Sequence, residues 1–584
     1  MTTKSKFLIG AIALIAACSG GDQPAATVNS SGDSAAVADT VYTNGRIYTV
    51  NEAQPWAEAM AVKNGRFLAV GSSADVEAVT SDTTEVVDLG GRFVLPGIND
   101  LHHHGIDVST TAVNTDALTL TDEQKSTPES IATSVKEFAQ SRPDLVVIYV
   151  EDFPDGMFEG NNGPKELLDE AEAERPVIIL SSGGHAHWAN STALEQAGIT
   201  ADTSDPEYGI IGRKPGSNEP IGGVHESAMQ LLLALREFPT RELVEAGIQH
   251  HVGRINGLGI TAVRIGGINQ VQLDATVAAD KAGKLNAYHS LAFNWRTSYI
   301  NQREGDFDLV REQILASRDV STENVAGGVL KYYADGAPAS KTAYLLEDYV
   351  DDPGNRSQFQ MDEDLFREEM AFWTENGITA MTHVTGDAGA RSFIDAVEAA
   401  QEQHGQNGVR HHMTHSVMVH PDDIARIPAL GMVVDVSPAV AAPMSFHDAY
   451  KHFFGTERHE TFFPARALVD AGVNFAIASD FPVGPDNPWS NIEVWTTRMN
   501  PQGEMEGALG GQSAITLEEA LKAATLVGAY GLYMEDEFGS LEAGKRATFI
   551  VLNRNLFEIP PADLSETQVL QTYFNGRLVF DSNL

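Results

Sequence analysis

Cysteine is nearly absent from this chain, which has a single one, Cys18, among 584 residues. With no second cysteine, the chain can form no disulfide within itself, and a metal site built from cysteine thiolates is excluded. Basic residues are scarce as well: 39 Lys and Arg stand against 81 Asp and Glu, a formal net charge of −42. Because phosphate backbones and anionic lipid surfaces repel such a chain, the charge argues against a nucleic-acid partner.

The first residues have the pattern of a bacterial export signal. Lys4 and Lys6 precede an apolar run over residues 7–17 that is too short to span a bilayer. The small residues before Cys18 resemble a lipobox, in which the cysteine thiol is lipidated and becomes the new N-terminus. The alternative is a plain secretory signal with an incidental cysteine.

We expect residues 1–17 to be a signal peptide that is removed, and residues 18–38, rich in Gly, Ser, Ala and Asp, to be a flexible tether. Ser19 follows the predicted lipidation site and, by resemblance to lipoprotein sorting rules, favours the outer membrane. The sequence thus predicts an exported protein at the periplasmic face of the bacterial outer membrane. Its contact with the membrane would be the N-terminal lipid anchor alone.

Both ends of the remaining chain have the pattern of short strands joined by tight turns. The sequence Asn-Gly-Arg begins at Asn44, at Asn64 and again at Asn575. Asn-Gly tolerates positive φ at both turn positions and favours a hairpin. We predict that residues 39–95 and 537–584 together form a small β-sandwich domain that flanks a long central domain.

The central domain, residues 96–536, alternates apolar β-type runs with helical stretches, which favours a parallel sheet with crossover helices. Two apolar runs, residues 146–150 and 177–180, are assigned to an excursion between the first and second barrel strands, about residues 106–250. The fold class is therefore predicted as α/β, a TIM-like (β/α)8 barrel with an insertion. Its eight predicted strands are residues 98–104, 260–265, 285–292, 329–334, 378–383, 411–415, 432–436 and 475–480.

Candidate metal ligands lie at or near the C-terminal ends of several predicted barrel strands. His102 and His104 end the first strand, and residues two apart on a strand face the same side, so both imidazoles can bind one cation. His383 and His415 end the fifth and sixth strands, and Asp480 ends the eighth. Singly, each histidine could be an interior residue, and Asp480 could cap a turn. The ordered set is what predicts a metal site.

Lys331 is a charged residue inside an apolar strand, where an unpaired ammonium group would be costly to bury. It could extend to solvent or pair with an acid such as Asp335. The alternative is a neutral amine that has reacted with CO₂, giving a carbamate whose two oxygens can bridge two metal ions. Burial lowers the pKa of a lysine, as this reaction requires.

These motifs resemble amidohydrolase family 3, which includes N-substituted formamide deformylases and relatives of D-aminoacylase. The similarity covers nearly the whole mature chain, and Asn99 departs from it, since the family has an apolar residue there. The motifs in chain order are Pro-Gly-x-x-Asp-x-His-x-His at 96–104, Gly-His-Ala-His-Trp-Ala-Asn-Ser-Thr-Ala-Leu at 184–194, Gly-Val-His-Glu at 223–226, residues 331–336, His-x-x-Gly-Asp at 383–387, His415, Ser-Asp-x-Pro at 479–482 and residues 539–547.

The resemblance implies two divalent metal ions, zinc in most members, which would supply a hydroxide that attacks a carbonyl carbon. Asp480 would carry the proton to the departing nitrogen. His185 and Trp188 would contact the substrate, with His185 as a donor to an oxyanion; the alternative is that both pack the excursion internally. The implied ligands are His102, His104 and Asp480 for one ion, His383 and His415 for the other, and a carboxylated Lys331 between them.

The function that follows is hydrolysis of a C–N bond in a small-molecule substrate: an amide, an N-formyl or N-acyl compound, or a cyclic imide. Hydrolysis of an ester or lactone is the alternative within enzymes, because the same activated water attacks either carbonyl. A lipid-anchored solute-binding protein without catalysis is a third possibility. The complete ligand set argues against it, since a receptor does not need activated water. No pattern in the sequence indicates an oligomeric state.

Overall fold

A sheet of eight parallel strands forms the centre of the protein, and each strand pairs with the next along the chain. The sheet closes into a barrel after the eighth strand, because the backbone N–H of Asp480 donates to the carbonyl of His102 (2.8 Å) and that of His104 donates to Phe481 (2.9 Å). The strands are Ile98–His103, Ile260–Ile268, Tyr288–Asn294, Val325–Tyr333, Thr379–Val384, His412–His415, Val433–Val436 and Asn474–Ile477. The predicted barrel is confirmed.

The description covers residues 36–235, 239–295, 307–444, 446–503 and 505–583 of a computed structural model. Cys18, the predicted signal peptide and nearly all of the predicted tether lie outside these residues. Residues 37–584 form one compact unit. Among the described residues, no helix combines the length and the apolar character needed to cross a membrane.

The barrel strands are apolar because both of their faces are covered, as in other parallel sheets. All nine residues of Ile260–Ile268 are buried. Amphipathic helices cover the outside, and several begin at a capping side chain, such as Asp362 before Glu363–Glu375. The helices between and after the barrel strands are Gly105–Ala112, Arg241–Gly257, Gln270–Lys281, Phe307–Ser317, Glu363–Glu375, Asp387–His404, Pro421–Ile424, Pro438–Ala441, His447–Phe454, Thr456–His459, Ala465–Asp470, Pro488–Thr497, Leu517–Ala524 and Leu526–Gly531.

The chain between the first and second barrel strands contains a separate six-stranded mixed sheet. The two apolar runs that were assigned to the excursion, residues 146–150 and 177–180, both contribute strands to this sheet. Its strands are Ala117–Thr119, Ile148–Phe153, Val177–Ser181, Ala186–Ala189, Gly209–Arg213 and Pro220–Glu226, and its helices are Pro128–Ser141, Lys165–Ala171, Ser191–Gln196 and Met229–Leu233.

Two further sheets are present, one built from N-terminal strands alone and one that combines strands from both chain ends. Their side chains share one hydrophobic core, in which Tyr42 and Phe549 meet edge to face with ring centroids 5.0 Å apart. The first sheet contains Thr40–Thr43, Ala59–Lys63, Arg66–Gly71 and Glu85–Asp88, beside the helix Ser73–Glu77. The second contains Arg46–Tyr48, Trp56–Ala57, Phe93–Pro96, Phe549–Leu552, Val569–Phe574 and Arg577–Asp581.

Candidate metal centre

Three predicted metal ligands lie close to a fourth, Asp480, at the C-terminal end of the barrel. His102 Nε2 and His104 Nε2 each lie 3.3 Å from Asp480 Oδ1, and His415 Nδ1 lies 3.5 Å from Asp480 Oδ2. One potential ligand atom from each of His102, His415 and Asp480 lies within 4.8 Å of the other two. The parallel strands bring these residues together because their carboxyl ends share one edge of the barrel.

Lys331 lies inside this group and is 1% exposed. Its Nζ is 3.0 Å from His102 Nε2 and donates to Thr414 Oγ1 at 3.2 Å. The carboxylate of Asp335, the acid named above as a possible partner of Lys331, accepts hydrogen bonds from the backbone N–H groups of Tyr344, Thr385 and Gly386. Lys331 thus contacts one of the candidate ligands, His102, from inside the barrel.

His383 extends the cluster on the other side of His415. The ring centroids of these two residues are 4.4 Å apart. His383 Nε2 is 3.1 Å from the carbonyl oxygen of Gly336. All six side chains that were predicted to hold metal therefore lie in one continuous group at one end of the barrel.

Burial lowers the pKa of His102, His383 and His415 well below the ordinary value of an imidazole. The next cause is a neighbouring cation or imidazole: Lys331 for His102, and His415 for His383. These rings are therefore neutral near pH 7, which is the state in which an imidazole binds a metal. Neutral imidazoles together with a carboxylate are a donor set that fits zinc and related divalent ions.

The backbone around the ligands is constrained. Asp100, two residues before His102, accepts hydrogen bonds from the backbone N–H groups of His102 and Ser479, both at 3.1 Å, and so ties the first strand to the eighth. Burial raises the pKa of Asp100 to about 7. His415 and Asp480 have positive φ values of 67° and 53°, which is unusual for residues other than glycine and is concentrated at functional sites.

The excursion contributes His185 to the edge of the cluster. The His185 ring centroid is 4.8 Å from that of His383. His185 Nδ1 lies 3.0 and 3.1 Å from the two carboxylate oxygens of Glu226, and Glu226 also accepts a hydrogen bond from Thr342 Oγ1 at 3.1 Å. The inserted sheet therefore places a histidine–carboxylate pair beside the candidate metal ligands.

Trp188 lies elsewhere. Its side chain is fully buried in the core of the excursion, its Nε1 donates to the carbonyl of Pro164 at 3.1 Å, and its ring meets Phe158 edge to face. This arrangement agrees with the alternative that Trp188 packs the excursion internally, and it gives no support to a substrate contact. His103 is also directed away from the cluster, toward His251.

Three buried polar residues near the site had no predicted role in binding metal: Arg264, His412 and Asp435. Asp435 Oδ2 lies 3.8 Å from His102 Nδ1 and 2.7 Å from His412 Nε2. Arg264 Nη1 lies 3.2 Å from His412 Nδ1. The sequence pattern could have indicated two of these residues, because Arg264 and Asp435 are charged residues inside apolar strands, as Lys331 is.

Known proteins are similar to this chain over most of its length. The model of the amidohydrolase family Amidohydro_3 matches residues 85–580. N-substituted formamide deformylase of Arthrobacter pascens is 26% identical over 550 residues, which cover 93% of this chain and 98% of that protein. Protein LONG AFTER FAR-RED 3 of Arabidopsis thaliana is 27% identical over 557 residues, covering 93% and 92%.

A solved structure has the same fold. The uncharacterized metal-dependent hydrolase from Pyrococcus horikoshii OT3 superposes with a TM-score of 0.67 at 20% identity, covering 89% of this chain and 99% of that one. At this identity the likeness concerns the fold alone.

Proposed function

The chain belongs to the amidohydrolase family that matches residues 85–580, and on that basis we propose that it hydrolyses a C–N bond in a small molecule. The protein is a metal-dependent hydrolase; the proposal concerns the bond that it cleaves and the residues that act. The observation that carries it is the convergence of six candidate ligands, on or just after five barrel strands, at one end of the barrel.

We assign two divalent ions to this centre, with zinc as the expected metal. When bound, such ions lower the pKa of water to near neutrality and polarise the carbonyl of the substrate. His102, His104 and Asp480 would hold one ion, His383 and His415 the other, and Lys331 would be carboxylated between them. Support comes from the chemistry of the donors, since neutral imidazole nitrogens and carboxylate oxygens are common zinc ligands.

Asp480 is assigned the proton transfer. Its two carboxylate oxygens face different candidate ligands, Oδ1 toward His102 and His104 and Oδ2 toward His415. A carboxylate in this position can take a proton from the attacking water and give it to the leaving nitrogen. Proton delivery matters most for an amine leaving group, since an alkoxide departs more readily than an amide anion.

We assign His185 to the substrate oxygen. Nδ1 of His185 lies 3.0 Å from the Glu226 carboxylate, and when both ring nitrogens carry a proton, the N–H on Nε2 is left to donate to a developing oxyanion. Of the substrate classes, an N-formyl or N-acyl compound has the added support of the relative named N-substituted formamide deformylase.

A substrate panel tests the proposal. Metal-loaded and metal-depleted protein are assayed in parallel with amides, N-formyl amines, N-acyl amino acids, cyclic imides, esters and lactones. We expect metal-dependent turnover of at least one C–N class, with kcat/KM above that for matched esters. Turnover of esters or lactones alone would favour the alternative enzyme, and no turnover of any class would favour a solute-binding protein.

The N-terminal pattern leads to a second proposal, about location. We propose that the protein is exported and held by a lipid on Cys18 at the periplasmic face of the outer membrane. The support is the lipobox-like sequence before Cys18 and the Ser19 that follows it. Residues 18–38 would give the enzyme a tether that keeps its strongly acidic surface away from anionic lipid.

A further inference from the structure

A column of buried polar side chains runs through the interior of the barrel to the metal centre. It consists of Arg264 on the second strand, His412 on the sixth and Asp435 on the seventh, each at most 1% exposed. It ends at His102, whose Nδ1 lies 3.8 Å from Asp435 Oδ2. Burying a charged group costs free energy unless the group is paired, so the partners of these three side chains have to be identified.

Arg264 fixes the direction of the hydrogen bonds in the column. Its guanidinium is held by Ser290 Oγ and by the carbonyl of Gly531, to which it donates at 3.2 and 2.6 Å. A guanidinium can only donate, so His412 Nδ1, 3.2 Å from Arg264 Nη1, must accept. The proton of the neutral His412 ring is then on Nε2, which lies 2.7 Å from Asp435 Oδ2.

Asp435 contacts two candidate metal ligands at the other end. The backbone N–H of His415 donates to Asp435 Oδ1 at 3.3 Å. Among the described residues, neither His102 Nδ1 nor Asp435 Oδ2 has an aligned hydrogen-bond partner, and His412 Nε2 is close to Oδ2 but off the hydrogen-bond line. Two unsatisfied buried atoms, one on a ring and one on a carboxylate, therefore face each other across 3.8 Å.

We propose that Asp435 is a positioning residue of the metal centre, which accepts the Nδ1 proton of His102 and so directs the Nε2 lone pair toward the metal. That nitrogen is already 3.3 Å from Asp480 Oδ1. A carboxylate behind a ligating histidine fixes the tautomer and the orientation of its ring. His412 Nε2 lies 2.7 Å from Asp435 Oδ2, and Arg264 in turn fixes the orientation of the His412 ring. The inference rests on the metal centre of the proposed function but requires no knowledge of the substrate.

The test measures binding of Co²⁺ to the metal-depleted full-length protein, by competition with a chromophoric chelator and by the visible spectrum of the bound ion. Asp435→Asn keeps the shape of the side chain and removes its charge. We expect Co²⁺ affinity to fall about 10- to 100-fold, with a changed ligand-field spectrum at saturation. The matched control is Asp423→Asn, another buried acid, paired with Arg391 (2.9 Å) and Arg426 (3.0 Å) away from the centre.

His412→Gln is the second variant, in case Asp435→Asn does not fold. It leaves every candidate ligand and Asp435 in place, and we expect a smaller loss of affinity with a spectral change in the same direction. Wild-type affinity and an unchanged spectrum in whichever variant folds would overturn the positioning role while leaving the metal centre intact. Wild-type protein that binds no Co²⁺ would instead refute the centre itself, and with it this inference.

Discussion

At the scale of single residues, Asp480 combines the most roles. It is 4% exposed, has a left-handed φ of 53°, and its backbone closes the barrel while its carboxylate faces three imidazoles. We expect Asp480→Asn to keep part of the bound metal, because an amide oxygen can still ligate. It should lose about 10²- to 10⁴-fold in kcat, because an amide cannot carry the proton.

Elemental analysis and steady-state kinetics on one preparation of Asp480→Asn separate these two effects. Asp470→Asn serves as control, since this acid lies at the surface in an ion pair with Arg466. Full activity in Asp480→Asn would rule out the assigned proton transfer. Complete loss of metal would contradict the expectation that an amide oxygen at this position still ligates.

At the scale of elements, the excursion adds the His185–Glu226 pair to the edge of the candidate metal centre. We expect His185→Gln to lower kcat about 10²- to 10³-fold, the usual effect of removing one donor to an oxyanion. Glu226→Gln should change kcat in the same direction by a smaller factor, because it leaves the ring in place and removes only its charged partner. Metal content should be unchanged in both.

Glu219→Gln is the matched control for Glu226→Gln. Glu219 immediately precedes the strand Pro220–Glu226 that ends in Glu226, but it pairs with Lys165 and Lys214 at the surface. Equal kcat values for the Glu219 and Glu226 variants would show that the His185–Glu226 contact only holds the excursion together.

Elements with a strict pattern were predictable from the sequence, and contacts between distant elements were not. The alternation of a strand was enough to put His102 and His104 on one face, and apolar runs located all eight barrel strands. Nothing local indicates that Asp435 lies 3.8 Å from His102, because that distance depends on how the first and seventh strands cross the barrel. Trp188 shows the same limit, since a motif position does not determine which residues its side chain packs against.

At the scale of the whole molecule, the first prediction concerns location. Cys18→Ala removes the thiol that would be lipidated, so we expect the variant to leave the membrane fraction of the native host and appear in the soluble fraction or in aggregates. Ser31→Ala, within the same tether, should remain with the membrane. Membrane fractionation of Cys18→Ala identical to that of the wild type would contradict lipidation at this residue.

The second whole-molecule prediction concerns the stability of the metal-depleted protein against pH. Burial lowers the pKa of a large group of histidines, so the unfolded chain binds their protons below about pH 6.5 while the folded chain does not. Each then costs up to about 1.4 kcal/mol of folding stability per pH unit as the pH falls. They are His102, His103, His225, His251, His289, His383, His411, His412, His415, His447 and His459.

Buried carboxyls act in the opposite direction, because a raised pKa adds stability below it. Burial raises the pKa of Asp100 and Asp335 to about 7 and also raises those of Glu369 and Glu493. They are fewer than the histidines, so we expect the unfolding temperature at a fixed scan rate to fall as the pH is lowered from 7 to 5.5.

Acidification also reduces the repulsion within a chain of net charge −42, which by itself would stabilise the fold. Repeating the scans in high salt screens that repulsion. A higher unfolding temperature at pH 5.5 than at pH 7 under those conditions would contradict the expectation that the buried histidines outweigh the buried carboxyls.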